Sequence, residues 1–243
     1  MSPRLKYSDW PKKLPRLTDE QVRIRDDWMR HWHEQLDTGY GMIEKFNHGY
    51  PARSSDPALR TLEIGAGRGG QIGFEHVGED NYYAVELRQE MADAILERFP
   101  NVRTVVADAQ EHLPFDDRFF DRILAVHVLE HLPNLPAALR EVHRVLKPGG
   151  RFIVVIPCEG SLAYGLARRI SSQRMFEKRY GQSYEWCIRS EHVNIPAEIR
   201  AELLRLFDIT NDAYFPLRVP LESVNLVIGL TCTPKEPAGV RSS

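Results

Sequence analysis

The sequence is short of cysteine, of net charge and of long apolar runs, and each shortage removes a class of function. Its three cysteines, Cys158, Cys187 and Cys232, are odd in number and widely spaced, so they form neither a disulfide framework nor a zinc pattern. Basic and acidic residues nearly balance, 32 against 34, for a formal charge of −2. No global field therefore draws the chain to DNA or to an anionic membrane surface. No stretch approaches the roughly 18 apolar residues of a membrane helix. The opening MSPRLKYSDWPKKLP has no apolar core of a secretion leader. The expectation is a soluble, cytoplasmic protein with no membrane span. Nothing repeats along the chain. Its 243 residues, 42% of them hydrophobic, suffice for one α/β domain with a sizeable core.

What is present centres on TLEIGAGRGG, residues 61–70. Thr61, Leu62 and Ile64 predict a short buried strand, and Gly65, Gly67 and Gly69 follow at every second position. Glycine here lets the backbone take positive φ and lets a ligand press against bare main chain. A helix is expected over Gly70–His76, whose unpaired first-turn N–H groups would face the same crevice. Gly65, Gly67 and Gly70 also satisfy G-x-G-x-x-G, which signals an adenosine-containing cofactor and nothing sharper.

Short apolar runs then alternate with helical patterns, as in a parallel sheet of βα units. Strands are predicted at Thr61–Ile64, Tyr82–Val85, Val102–Ala107, Asp121–Val126 and Arg151–Ile156. Helices are predicted at Gln89–Phe99 and Pro136–Leu146, the latter closed by Lys147-Pro148-Gly149-Gly150. After helix Ala197–Phe207, strands Asp208–Tyr214 and Ser223–Thr233 have no helix between them and should pair antiparallel. Upstream, Thr18 and Gln21 form a capping box that opens a helix to about Asp37, with Trp28, Met29 and Trp32 on its apolar side. Its aromatics are expected to fasten it to the main domain. Met42–Tyr50 reads as one more helical turn. Residues 159–190 are polar and arginine-rich, with no clear period.

Glu86 ends strand two, where a carboxylate can accept both hydroxyls of a ribose. Asp108-Ala109 ends strand three, and FFDRILAVHVLEHL and LKPGGRFIVVIP follow in order. Together with the glycine turn, this set resembles the class I S-adenosylmethionine-dependent methyltransferases, in particular their small-molecule branch, over roughly Leu59 to Thr233. Glu63, Gly65, Gly67 and Gly69 match that family's E/D-x-G-x-G-x-G. The resemblance implies a doubly wound, seven-stranded Rossmann-like α/β sheet, mostly parallel with one antiparallel strand. It implies residues 1–58 as N-terminal arm and helical cap and 59–234 as the methyltransferase domain, with a lid-like insert at 159–190. A disordered tail is expected at 235–243. S-adenosyl-L-methionine is the implied cofactor, bound by Glu63, Gly65, Ala66 and Gly67, then Glu86 and Leu87, Asp108 and Ala109, and Val126 and His127. An acid at the glycine turn repels a pyrophosphate and suits an α-ammonium, which argues against a nicotinamide dinucleotide.

Methyl transfer from a sulfonium needs alignment, desolvation and removal of the acceptor's proton. His127 and His192 are the candidate catalytic residues, with Glu159, Tyr164, Tyr40, Asn47, His48 and Tyr50 as further acceptor contacts. The acceptor is expected to be a small or carrier-linked molecule, methylated at oxygen. Arg168, Arg169, Arg174, Lys178 and Arg179 suit an anionic one. The alternatives are an RNA-modifying methyltransferase and a non-catalytic cofactor-binding interaction protein. His127, Glu130 and His131 stand at i, i+3 and i+4. With His192 they have the donor types of a zinc or iron site rather than a magnesium site. The expectation drawn is a site without metal, with Glu130-His131 structural.

Overall fold

The computed structural model describes residues 9–39 and 41–236, with backbone only over 32–39. Five parallel strands, β1 (Thr61–Ile64), β2 (Tyr82–Glu86), β3 (Arg103–Val106), β4 (Phe120–Val126) and β5 (Leu146–Pro157), are joined by β6 (Phe207–Phe215) and β7 (Val227–Pro234). The sheet order is β3-β2-β1-β4-β5-β7-β6. β7 runs antiparallel to both of its neighbours. The expected topology is therefore found, and the order reverses between β1 and β4, where such sheets hold ligands beyond their carboxyl ends.

Strand alternation builds the two sides of the core. Leu62, Ile64, Ile123, Ala125, Phe152 and Val154 pack on one face with α4 (Leu135–Val145) and α8 (Pro196–Leu206). Ala84, Leu124, Ile153 and Val155 pack on the other face, where Ile95 of α3 (Gln89–Arg98) and Tyr50 of α2 (Gly41–Ala52) meet them. Each such side chain contributes about 1.5–3 kcal/mol by burial. Tyr50 donates or accepts across 2.9 Å to Thr231, and a Cβ at Gly229 would stand 2.6 Å from its ring, so the glycine makes room for it.

Several expectations need correction. Instead of a helix over Gly70–His76 there is a single 3-10 turn, Ile72–Phe74. Gly69, Gly70 and Gly73 each weaken a helix by about 1 kcal/mol. The Gln71 side chain instead ties this segment to the His48 carbonyl at 3.2 Å. The crevice therefore has no helix N-terminus here. Lys147–Gly150 does not cap α4, because β5 begins at Leu146 and Gly149 takes φ 74° within its irregular start. The segment Met42–Tyr50 belongs to a twelve-residue helix rather than one turn.

The stretch 159–190 is not irregular. It forms α5 (Leu162–Ile170), α6 (Ser172–Tyr180) and α7 (Glu185–Glu191), each too short to display a period. Their apolar residues gather on α1 (Asp19–Gly39). Trp28 meets Phe176 edge-on at 5.4 Å and Tyr184 at 6.0 Å, and Cys187 and Ile188 close the cluster. Asp27 accepts a 2.6 Å hydrogen bond from Tyr180. The aromatic helix is thus fastened to the insert rather than to the sheet, and the two make one cap. The capping box at Thr18 and Gln21 is present in both directions. Residues 1–8 and 237–243 lie outside the described residues. Lys12 is held by Glu198 at 2.6 Å, and Lys235, within the expected disordered tail, donates its amide to Leu206.

Candidate functional site

The carboxyl ends of β1 to β4 bring the expected cofactor residues to one edge of the sheet. After β1 the chain turns through Gly65 (φ 64°), Ala66 and Gly67 (φ 56°). A Cβ on Gly65 would lie 2.6 Å from Val128 Cγ2, so only glycine allows this turn to sit against the β4 exit. Glu86 ends β2 and its carboxylate accepts from the amides of Gly67 (2.9 Å) and Leu87 (3.0 Å). Asp108, after β3, accepts from the Gln110 amide at 2.9 Å, with Ala109 buried beside it. Val126 is the last residue of β4, and His127 follows it.

Glu63 sits differently from its neighbours. It is 3% exposed and accepts a 2.8 Å bond from the Tyr82 hydroxyl. Burial pushes its carboxyl up to about 8, against the pull of that hydrogen bond. A cofactor ammonium meeting Glu63 would thus compete with Tyr82 and would have to draw off a proton.

A cavity of about 290 Å³ opens on the far side of His127, between the sheet edge and the cap. Its walls are largely apolar, with Trp28, Met29, Ile43, Tyr184, Ile188 and Val227 among them. Among the described residues, four on its lining carry a buried polar atom with no partner: Asn47 Oδ1, His127 Nε2, Glu130 Oε2 and Arg168 Nε. Buried polar atoms are normally satisfied, and leaving one unpaired costs about 1–3 kcal/mol. Their convergence on one cavity marks it as a place for a polar-headed ligand.

His127 has a left-handed backbone, φ 54°, pinned by its amide donating to Val155 at 2.9 Å. A non-glycine residue held there costs of order 1 kcal/mol or more and recurs at functional sites. Its Nδ1 lies 3.2 Å from Glu130 Oε1, which leaves Nε2 as the free ring nitrogen. Glu130 is buried in the 3-10 turn that follows β4. Burial works to raise its carboxyl, but the His127 hydrogen bond and the neighbouring imidazoles hold it below the usual range. His131 is pushed down to about 4 by burial and is neutral. His192 Nδ1 lies 2.9 Å from Glu159 Oε2, and the other oxygen of Glu159 takes Arg168. Burial also raises the Tyr164 hydroxyl, so it stays protonated.

The structure brings His127, His192, Tyr164 and Asn47 to the cavity. It does not bring Tyr50, which is buried against β7, and Tyr40 lies outside the described residues. His48 stacks on Phe74 with centroids 4.8 Å apart and serves the Gln71 junction. Of the cationic run only Arg168 lines the cavity, and Arg179 is spent on Asp27. The partnership of Glu159 with His192 has no signal in the sequence, since 33 residues separate the two.

Residues 62–154 match the family model for a methyltransferase domain. A sterol 4-C-methyltransferase of Caenorhabditis elegans is 37% identical over 103 residues, 40% of this chain and 30% of that protein. A ubiquinone/menaquinone biosynthesis C-methyltransferase of Coxiella burnetii is 48% identical over 58 residues, 24% of this chain and 22% of that protein. The matches span less than half the length of these curated relatives. Among solved structures, a possible histamine N-methyltransferase from Thermotoga maritima superposes with TM-score 0.58 at 19% identity, over 88% of this chain and 99% of that one. That likeness is one of fold.

Proposed function

We propose that this chain, which carries a class I S-adenosylmethionine-dependent methyltransferase domain, methylates a small or carrier-linked acceptor held in the His127 cavity. The observation that carries the reading is the position of His127. It follows β4 at the sheet's switch point, beside the glycine turn assigned to the cofactor, and lines the cavity with an Nε2 that has no partner among the described residues.

The residues present fit the cofactor. Gly65 and Gly67 offer bare backbone in left-handed conformation, and Glu86 can trade its Gly67 contact for ribose hydroxyls. Asp108, one strand further along, is assigned to the adenine amine. When bound, the cofactor supplies an already activated methyl group for in-line displacement. The chain's own part is alignment, exclusion of water and custody of one proton.

His127 is suited to that proton. Glu130 holds its Nδ1 side, so Nε2 faces the cavity as the basic nitrogen, the orienting logic of a carboxylate–histidine pair. Glu130 then stabilises the imidazolium. His192, fixed by Glu159, lines the cavity from the insert side, and Arg168 Nε offers an N–H to an anionic or oxygen-bearing head group. The apolar walls take the rest of the acceptor.

A base is needed where the acceptor loses a proton, which favours a hydroxyl oxygen over an amine. An acidic carbon flanking a phenol or carbonyl needs the same base. That second reading is favoured by the relatives named as C-methyltransferases. Incubating the protein with methyl-labelled cofactor and a cell extract, separated afterwards into metabolites and RNA, then identifying the labelled product, tests both. Label on oxygen or carbon of a small molecule fits the proposal. Label confined to RNA, or none with cofactor bound, supports the RNA-modifying or non-catalytic alternatives.

A further inference from the structure

Glu130, His131 and His192 form a second constellation on the wall of the same cavity, sharing Glu130 with His127. One potential donor atom from each lies within 4.8 Å of the other two. Their hydrogen bonds fix which atoms are free. His131 Nδ1 is 2.8 Å from the Glu191 carbonyl, which can only accept, so Nδ1 carries the hydrogen and Nε2 keeps its lone pair. His192 Nδ1 faces the Glu159 carboxylate at 2.9 Å, with the same consequence for its Nε2. The two rings meet edge-to-face with centroids 5.0 Å apart. Glu130 is 1% exposed, its Oε1 is taken by His127, and its Oε2 has no hydrogen-bond partner among the described residues.

A buried carboxylate oxygen without a donor, beside two imidazoles that offer it lone pairs rather than hydrogens, is an unfavourable arrangement if nothing fills it. All three groups are Lewis bases, and a hydrogen-bond network does not put only acceptors together. A cation resolves the conflict.

We propose that Glu130, His131 and His192 bind one divalent transition-metal ion of the zinc or iron(II) class. Two imidazole nitrogens and one carboxylate oxygen suit those ions. Magnesium and calcium prefer oxygen shells. Each imidazole is already oriented through its outer nitrogen, by a carboxylate or a carbonyl, which is how ligating histidines are held. Three protein ligands leave a coordination position open toward the cavity. The sequence alone leads to the opposite expectation, because the Glu159 and Glu191 contacts that fix the tautomers are not visible in it. If the cavity takes the acceptor, the ion gives it an electrophilic wall for an oxygen anion. That consequence rests on the acceptor reading, whereas the ion site does not.

The test is equilibrium dialysis of the chelator-stripped full chain against zinc, cobalt(II) or magnesium, followed by metal analysis. The expected result is retention of close to one zinc or cobalt per chain and no magnesium, with a visible ligand-field band for the cobalt form. His131→Ala and His192→Ala should each lower zinc affinity by about tenfold or more, and Glu159→Gln by roughly 10–100-fold. His112→Ala, on the protein surface, should leave it unchanged. Should an alanine variant fail to fold, the zinc-dependent rise in melting temperature of the wild-type chain, and its reduction in Glu159→Gln, carry the test. No zinc or cobalt on the folded wild-type chain overturns the proposal, as does undiminished retention by a folded His131→Ala/His192→Ala variant. S-adenosylhomocysteine titrated into the same samples separates the two readings: binding without metal retention removes only the metal site, and metal retention without binding removes only the cofactor reading.

Discussion

The carboxylate of Glu86, at the end of β2, reaches the amide of Gly67 in the turn after β1 and accepts its hydrogen at 2.9 Å. The two elements proposed to share a ribose are therefore joined before any ligand arrives, and a ribose would replace an internal bond with its own. Glu86→Ala removes that acceptor and should weaken S-adenosylhomocysteine binding by about 1.5–3 kcal/mol, the scale for hydrogen bonds to a charged group. Calorimetric titration checks it. Unchanged affinity would remove Glu86 from the cofactor site.

Glu63 gives a pH signature. Its carboxyl titrates near 8 in the folded chain and at the ordinary 4.5 when exposed. Between those values the folded state holds a proton that the unfolded state has lost, so stability falls as pH rises, by up to about 1.4 kcal/mol per pH unit. Glu63→Gln should flatten that part of the profile. Urea midpoints at about pH 5.5 and about pH 8.5 measure it, since the midpoint tracks stability when the slope is unchanged. Parallel profiles for wild type and variant would mean that Glu63 ionises normally.

The strands, the glycine turn and the ends of β2 and β3 are legible in the sequence because each depends on local chemistry: short apolar runs, glycines where φ is positive, acids at strand ends. The failures share a different cause. Gly70–His76 looked helical by position, but its glycines and the Gln71–His48 tie decide otherwise. The insert showed no period because its helices are short and bury their aromatics against Trp28, far away in sequence. The polar side of the cavity depends on pairs such as Glu159–His192. Arg122, fully buried with Glu75 at 2.6 Å, likewise joins β4 to a partner 47 residues away. Single-chain patterns do not encode such partners.

Trp28 holds the cap together. It is 2% exposed, packed among Phe176, Tyr180 and Tyr184. Trp28→Ala should destabilise the cap by about 3–5 kcal/mol. Amide hydrogen exchange should then rise in α1 and in α6–α7 together while the sheet stays protected. In the wild type, both segments should gain protection when S-adenosylhomocysteine and product bind, because the cavity lies beneath them. Exchange that rises in α1 alone would show that the insert folds without it.

His127→Ala should lower kcat by about a hundredfold on an acceptor that loses a proton, with cofactor affinity nearly unchanged. His192→Ala is the comparison. It should raise KM more than it lowers kcat, since His192 is assigned to shaping the acceptor's cavity rather than to proton transfer. Once an acceptor is identified, steady-state kinetics of both variants decide this. Loss of cofactor binding with normal turnover in His127→Ala would move the residue to the cofactor site.

The most direct test is calorimetric titration of the wild-type chain with S-adenosylmethionine, S-adenosylhomocysteine and NAD. The crevice has bare glycine backbone after β1, the Glu86 carboxylate at the end of β2 and, in place of a helix after the glycine turn, a single 3-10 turn. Saturable binding of both sulfur compounds, weakened in Glu86→Ala, with no heat from NAD, is the predicted result. Tight binding of NAD with none of either sulfur compound would contradict the account.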